Sequence, residues 1–539
     1  MDFSKVLAGY EKYPYPSKEL QYGTSGFRDK ASVLEHVAFR VGVLAGIRSK
    51  YTKKVIGFMV TASHNAAVDN GIKLIDPDGD MLEVTWEPIA TRVVNSATDK
   101  ISDIVNDVIS SYKIDTSFEG EVIIGWDTRP SSINLVNIAC EGIASVNSKP
   151  VKIALCTTPI LHYLVRCRND SSYGVPSVDG YYDKLIVAFE TFWKDVSNTN
   201  GNYSPYVVFD GANGVGSIAM KNAETRIRDK LRVNLYNDSI NDHEKLNVNC
   251  GADHIKQAQQ YPDGLPEELN VRCVSFDGDA DRIMYYYLDD SKKFNIVDGD
   301  KMAVLFATFL KEIIAETKLN STFGIVQTAY ANGSSTRYIK DKLNIDAAFT
   351  KTGVKHLHQK AIEYDIGIYF ESNGHGTVLF SNKLKNEIAN ALKIASGEQL
   401  RALNELCTFI NMINETVGDA LSDMLAIETI LHVKGWSIQD WNKLYDPVPY
   451  KMAKVTVKDR STITTTDAER KAVTPAGLQK GIDDLLTRFP SSRAFVRPSG
   501  TEDIVRVYSE AATQKEADEL AMEVMRLVYD LAGGVGDRP

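Results

Sequence analysis

Cysteine is scarce and scattered. The six in 539 residues (Cys140, Cys156, Cys167, Cys250, Cys273 and Cys407) form no C-x-x-C pair and no spacing suited to zinc or a disulfide framework, so reduced thiols in a reducing compartment are expected. Basic charge is not in excess either. A formal net charge of −10 is spread along the chain and repels nucleic acid and anionic lipid, so neither is an expected partner and an anionic substrate needs a local basic site. No apolar run suits a bilayer: the longest, Val304 to Ile314, is broken by Lys311 and falls short of the roughly 20 residues a span requires. It reads as buried helix. Residues 1–22 carry charges and prolines where a signal peptide has an apolar core, and a cytoplasmic location is expected.

What is present is ordinary globular material. The 43% apolar and 24% charged composition sits near the average for soluble chains, and at about 150 residues per domain the length implies three or four cores. Short β-rich apolar runs end in polar, glycine-containing loops with helical stretches expected after them, which is α/β patterning. Three such junctions stand out: Val55 to Val60 into Thr61-Ala62-Ser63-His64-Asn65, Val271 to Phe276 into Asp277-Gly278-Asp279-Ala280-Asp281-Arg282, and Ile366 to Phe370 into Glu371-Ser372-Asn373-Gly374-His375-Gly376. Ligands of open α/β sheets bind beyond the carboxyl ends of strands, where these loops lie. The last part differs: β-prone Ala453 to Val457, helical Pro475 to Arg488, a strand–loop–strand at Ala494 to Tyr508 and a helix from Lys515 read as a compact α+β domain. Breaks are expected near residues 198–204 and at Tyr445 to Pro449.

Asp277, Asp279 and Asp281 alternate with small residues, so their carboxylates can converge on one hard divalent cation. A calcium EF-hand loop is excluded, because its sixth and twelfth positions, Gly and Glu, are Arg282 and Leu288 here. The plainer alternative is an Asp-rich solvated turn. In Arg497-Pro498-Ser499-Gly500-Thr501-Glu502-Asp503, between two strands, a guanidinium, two hydroxyls and a glycine supply the parts of a phosphate cradle, and Arg506 on the outgoing strand adds a second cation. An ordinary turn is the competing reading. Ser63 sits in no G-x-S-x-G elbow, and a lone Ser-His pair says little by itself. His356 and His358 have a spacing that could serve a metal, yet Leu357 between them fits surface alternation.

Taken together, Thr24-Ser25-Gly26-Phe27-Arg28, the Ser63 loop, the Asp277 loop, the Glu371 loop and the Arg497 loop resemble the α-D-phosphohexomutase superfamily over nearly the whole chain. Within it the chain is most similar to the eukaryotic branch acting on N-acetylglucosamine phosphates. The sugar loop has Asn373 where relatives commonly have Ser, and Ile124-Gly125-Trp126-Asp127-Thr128-Arg129-Pro130-Ser131 follows the Ser63 loop instead of preceding it, as if the first domain were rearranged. Ala66 departs from the family's usual proline, which puts loop rigidity in question.

The resemblance implies three α/β/α layered domains (1–180, 181–295, 296–445) and a smaller C-terminal α+β domain (446–539) around one central cleft. It implies interconversion of N-acetylglucosamine 6-phosphate and 1-phosphate, toward UDP-N-acetylglucosamine, through a phosphorylated Ser63 and a hexosamine 1,6-bisphosphate intermediate that also primes the enzyme. One Mg²⁺ would be held by Ser63, Asp277, Asp279 and Asp281; Arg28 and Arg282 would stabilise charge; Glu371, Ser372 and Asn373 would bind sugar. Arg497, Ser499, Gly500, Thr501 and Arg506 would bind the idle phosphate, and a hinge near Pro447 to Pro449 would let that clamp move. Lys73, His64 and His356 are the general acid–base candidates. The rival readings are a glucose- or mannose-type hexose phosphate mutase, a non-catalytic sugar-phosphate-binding protein and a metal-dependent phosphatase.

Overall fold

The computed structural model describes all residues except 1–3, 16–17, 24, 196–200 and 501. Thr24, Thr501 and part of the break expected at 198–204 therefore lie outside the described residues. Two compact units divide the chain: 1–299, 373–378 and 396–439 form the first, and 300–372, 379–395 and 440–539 the second.

Two five-stranded sheets in the first unit share one plan. β1 (Phe27–Lys30), β2 (Ile56–Val60), β3 (Asp69–Ile75), β4 (Gly120–Trp126) and β5 (Ser148–Leu155) take the order β1-β3-β2-β4-β5. β6 (Tyr206–Asp210), β7 (Arg232–Tyr236), β8 (Cys273–Phe276), β9 (Ile283–Leu288) and β10 (Phe294–Val297) take the order β10-β9-β8-β6-β7. In each, the middle strand (β2 or β8) pairs antiparallel with the strand that follows it and parallel with its other neighbour. Both middle strands are buried at every position, as strands covered on two faces must be, which is why their sequences are apolar runs without alternation. A third sheet, built from β11 (Phe323–Gln327), β12 (Asp346–Phe349), β13 (Ile366–Phe370) and β14 (Gly376–Phe380), has the order β12-β11-β13-β14, with β13 again beside a parallel neighbour and the strand that follows it.

Chain order separates the first sheet from the others. β6 and β7 precede β8, and β11 and β12 precede β13, but β4 and β5 follow β2 and β3. Leaving aside the edge strands β1 and β10, β2-β3-β4-β5 is a circular permutation of the four-strand order β6-β7-β8-β9, and this is why Asp127-Thr128-Arg129, at the end of β4, comes after the Ser63 loop.

The expected helix after each site loop is absent. Strands β3, β9 and β14 follow the Ser63, Asp277 and Glu371 loops. Extended, β-favouring residues resume at once, most clearly in the Ile-Met-Tyr-Tyr-Tyr-Leu of β9, which is buried along its whole length and suits a sheet better than one helix face.

The C-terminal part consists of β15 (Tyr450–Thr456), a two-stranded ribbon of β16 (Thr464–Thr466) and β17 (Lys471–Thr474), helix Leu478–Leu486, β18 (Arg493–Pro498), β19 (Ile504–Glu510) and helix Gln514–Leu531. Arg497 and Pro498 thus end a strand instead of lying in the loop. The three-stranded sheet β15-β19-β18 packs Val455, Val496, Val505 and Val507 against Leu478, Ile482, Leu520 and Val524 of the two helices. On its other face Phe495 and Tyr508 pack with Ala329 beyond β11, and Arg493 donates to the carbonyls of Ala329 (2.9 Å) and Ala331 (2.7 Å) while paired with Glu510. The Thr513–Glu516 capping box starts the last helix. Val304 to Ile314 lies within helix Gly299–Thr317, all six cysteines are free, and among the described residues no helix is long and apolar enough to cross a membrane.

Candidate active site

Ser63 lies just past the carboxyl end of β2, 1% exposed and in the left-handed region at φ 51°. A serine stays there only where its surroundings hold it. Its N–H donates to Thr61 Oγ1 (3.0 Å), and the Thr61 hydroxyl donates to Asp127 Oδ2 (2.7 Å). Arg129, ion-paired with Asp127 at 2.9 Å, donates to the carbonyls of Ser63 (2.9 Å), Asn65 (2.8 Å), Asp69 (2.9 Å) and Ala66. Asn247 Nδ2 adds bonds to the Ser63 and Asn65 carbonyls, both at 3.0 Å. This clamp supplies the rigidity that Ala66, in place of proline, does not. The aspartate loop passes so close that a Cβ on Gly278 would lie 2.4 Å from the Ser63 carbonyl oxygen and 2.8 Å from Asn247 Nδ2.

The Ser63 hydroxyl donates to Asp277 Oδ2 at 2.7 Å. Asp277 Oδ1 in turn accepts the backbone N–H groups of Asp281 and Arg282, both at 3.2 Å, which closes the loop on itself. Asp279 accepts from Thr158 Oγ1 (2.6 Å) and pairs with Lys73 (3.2 Å). Asp281 lies 3.5 Å from Lys73 and 3.4 Å from His375 Nδ1. One oxygen from each of the three buried carboxylates falls within 4.8 Å of the others. Arg282 Nε lies 3.9 Å from Asp277 and 3.8 Å from Asp281, and Arg28, on β1, donates to Asn65 Oδ1 at 3.1 Å.

Burial shapes the electrostatics. It pushes Asp277 well above the usual carboxylate range, and the neighbouring Asp281 and Asp279 add to the shift. Burial disfavours the charge on Lys73, but Asp279 and Asp281 outweigh it and hold the ammonium above its ordinary value. His64, with Nδ1 3.4 Å from Ser63 Oγ, is pushed down to about 2 by burial and by Arg282 and Arg28. Asp279 Oδ1 is buried and, among the described residues, accepts no hydrogen bond. Left so, it costs about 1–3 kcal/mol. Converging carboxylates with an unsatisfied oxygen fit a hard divalent cation.

The second unit holds the phosphate-loop residues. Arg497, on β18, stands directly across from Arg506 on β19, which is itself directly across from Lys454 on β15, so a row of three cations crosses one sheet face. Like charges so placed repel and call for an anion. Arg497 Nε donates to Glu469 Oε1 at 2.9 Å. Ser499 is buried, and its N–H donates to the Ile504 carbonyl at 2.9 Å. Among the described residues, a Cβ on Gly500 would meet nothing within 4 Å. Glu371 and Ser372 are half-buried past β13, and Glu371 Oε1 accepts the Gly353 N–H at 3.2 Å.

The sugar loop is divided between the units. Asn373 belongs to the first, where its Oδ1 accepts the His375 N–H at 3.0 Å and Gly374 bonds Ile283. His356 and His358 lie on helix Val354–Ala361, so surface alternation is the wrong description: residues two apart on a helix diverge by about 200°. His358 is buried with Nδ1 3.0 Å from the Tyr369 hydroxyl, and His356 is half-buried.

Sequence reasoning missed Thr61, Thr158, Asn247, His375, Lys454 and Glu469, and did not see what Arg129 does. His375 stood inside the quoted Asn-Gly-His-Gly, and strand alternation relates Lys454 to Arg506 once the register is known. Asn247 and Glu469 are single polar residues in loops and gave no signal.

Comparison with known proteins sharpens this picture. Residues 43–100 and 92–175 match the family model "Phosphoglucomutase/phosphomannomutase, alpha/beta/alpha domain I", and residues 452–527 match the C-terminal domain of the same enzymes. With the recurring sheet plan and the serine set on three aspartates, they define a phosphohexomutase. Residues 172–284 and 298–436 match domains II and III of "Phosphoacetylglucosamine mutase AMG1". The human phosphoacetylglucosamine mutase is 48% identical over 521 residues, covering 96% of each chain. A crystal structure of N-acetylglucosamine-phosphate mutase in its substrate complex has a TM-score of 0.94 at 42% identity, covering 98% of this chain and 100% of that one. The Aspergillus fumigatus N-acetylphosphoglucosamine mutase in complex with GlcNAc-6P and magnesium has a TM-score of 0.93 at 40% identity, covering 98% and 99%. The chain belongs to the phosphoacetylglucosamine mutase family.

Proposed function

We propose that this chain interconverts N-acetylglucosamine 6-phosphate and N-acetylglucosamine 1-phosphate, with Ser63 as phosphoryl carrier, in the supply of UDP-N-acetylglucosamine. The observation that carries the reading is the Ser63 hydroxyl 2.7 Å from Asp277, among buried aspartates and half-buried cations. In the forward half-reaction the free sugar hydroxyl attacks the phosphorus of phosphorylated Ser63. The bond to Ser63 Oγ breaks, the bond to the sugar oxygen forms, and the hydroxyl proton passes to a base. The resulting 1,6-bisphosphate turns over and returns its other phosphoryl group to Ser63 Oγ, leaving the isomeric monophosphate.

Asp277, Asp279 and Asp281, with an oxygen at Ser63, would hold Mg²⁺, which when bound supplies charge neutralisation at the transferring phosphoryl group. The chain's own charges fit that arrangement. Arg28, Lys73 and Arg282 stand beside the three aspartates, with Arg282 also paired to Asp253 at 3.2 Å, and a divalent cation would offset the roughly −2 charge of a phosphoserine. For proton transfer, Lys73 is committed to Asp279 and Asp281, His64 lies against Ser63 Oγ, and His356 starts a helix beside the Gly353 turn. Arg497, Arg506, Ser499, Gly500 and Thr501, joined by Lys454, hold the phosphate that is not reacting, while Glu371, Ser372 and Asn373 orient the sugar and its acetamido group. The corresponding domains run 1–180, 181–295, 296–445 and 446–539.

Parallel coupled assays on the 6-phosphates of N-acetylglucosamine, glucosamine, glucose and mannose, each primed with bisphosphate, test the substrate. The N-acetylglucosamine compound is expected to give the highest kcat/KM without release of inorganic phosphate. Preference for glucose 6-phosphate would overturn the substrate reading, and stoichiometric phosphate release would make the protein a phosphatase.

A further inference from the structure

We infer that Glu469 is a positioning residue for the phosphate clamp, fixing Arg497 and tying it to the turn that hydrogen-bonds the sugar-loop carboxylate Glu371. The inference rests on the proposed role of Arg497 as a phosphate ligand. Both oxygens of Glu469 are engaged. Oε1 accepts Arg497 Nε at 2.9 Å, and Oε2 accepts the Thr352 N–H at 2.8 Å and the Thr352 hydroxyl at 2.6 Å. The next residue, Gly353, donates its N–H to Glu371 Oε1 at 3.2 Å. A continuous polar chain therefore runs from Glu371 through the 352–353 turn and Glu469 to Arg497.

The backbone is shaped to deliver this side chain. Asp467, Ala468 and Glu469, which link β16 to β17, are left-handed in succession at φ 54°, 54° and 67°. None is glycine, and such residues persist only where surrounding contacts over-determine them. Arg470 supplies two: its guanidinium lies 4.3 Å from the Phe349 ring centroid and pairs with Asp467 at 2.6 Å. A guanidinium has two usable edges. A carboxylate on Nε sets the plane of the fork, so that the Nη groups, with Tyr330 also against the guanidinium, are oriented toward a phosphate on the face where Arg506 stands opposite. In this way the spacing between sugar and idle phosphate is built into the protein.

The test combines E469Q, T352V and R497Q in the full-length enzyme, with steady-state kinetics on N-acetylglucosamine 6-phosphate, inorganic phosphate as a competitive probe, and thermal unfolding as a folding control. E469Q is expected to raise KM and the phosphate inhibition constant about 10-fold, with kcat within about 2-fold, the signature of lost uniform binding. T352V, a smaller perturbation, is expected to raise KM about 3-fold. Because Glu469 acts through Arg497, the double variant E469Q/R497Q should be no worse than R497Q alone. If R497Q leaves KM unchanged, the phosphate-clamp reading itself fails. If R497Q raises KM while E469Q leaves it unchanged, lowers it as a competitor for Arg497 would, or adds its full effect to R497Q, the inference about Glu469 is overturned. Should E469Q fail to fold, T352V decides, and an unchanged KM there counts against the inference.

Discussion

Arg129 is a fully buried cation whose guanidinium serves one carboxylate, Asp127, and the carbonyls of the Ser63 loop. Removing one partner of a buried ion pair leaves the other charge uncompensated, so R129M is expected to cost about 3–5 kcal/mol of stability in urea unfolding. R129K is expected to rescue little of it, because an ammonium cannot reach several divergent carbonyls at once. Unchanged unfolding midpoints would remove the clamp from the description. Ser63 has a different profile: S63A is expected to lower kcat by about 10⁴-fold or more while sugar-phosphate binding, measured by calorimetry, survives. A non-catalytic binding protein would lose nothing. At this scale the sequence revealed Ser63, the three aspartates and Arg497 because each sits in a short motif with its neighbours. It hid what Arg129 does for the Ser63 loop, and it hid Asn247 and Glu469 altogether, because these contacts are far off in the chain and form only through the fold.

Among the elements, the middle strands β2, β8 and β13 were readable because burial on both faces demands unbroken apolar runs. The strands that follow their loops were not. β3, β9 and β14 replace the helices expected there, since a short apolar stretch does not say whether the chain turns back as strand or winds into helix. The return matters for chemistry, because β3 carries Lys73 to the aspartates and pairs with β1, which carries Arg28. Gly278 shows how tightly the loops are set. G278A is expected to displace the Ser63 loop and lower kcat by about 10²-fold, with the unfolding temperature changed by only a few degrees. Full activity in G278A would mean that the two loops need not meet at this distance.

For the whole molecule, three like strand–loop junctions pointed to similar layered domains without any literal repeat, while the strand order and pairing of their common plan emerged only from the fold. The permutation of the first sheet did leave a trace, since Asp127-Thr128-Arg129 follows the serine loop in the chain. The three converging carboxylates lead to a further prediction. Chelation should abolish turnover and Mg²⁺ restore it, and Mg²⁺ at 100 times its dissociation constant should stabilise the native state by about 2.7 kcal/mol, seen as a raised unfolding temperature. D279N, which removes a ligand charge, should lose that response; a response retained in D279N would place the ion elsewhere.

The most direct measurement is peptide mass spectrometry of the enzyme after brief exposure to N-acetylglucosamine 1,6-bisphosphate, followed by a single-turnover chase with N-acetylglucosamine 6-phosphate. A phosphoryl group should be found on Ser63 and leave it, at the rate of turnover, for the added sugar phosphate. Ser63 unmodified throughout, with isomerisation still proceeding, would show that the phosphoryl group travels by another route.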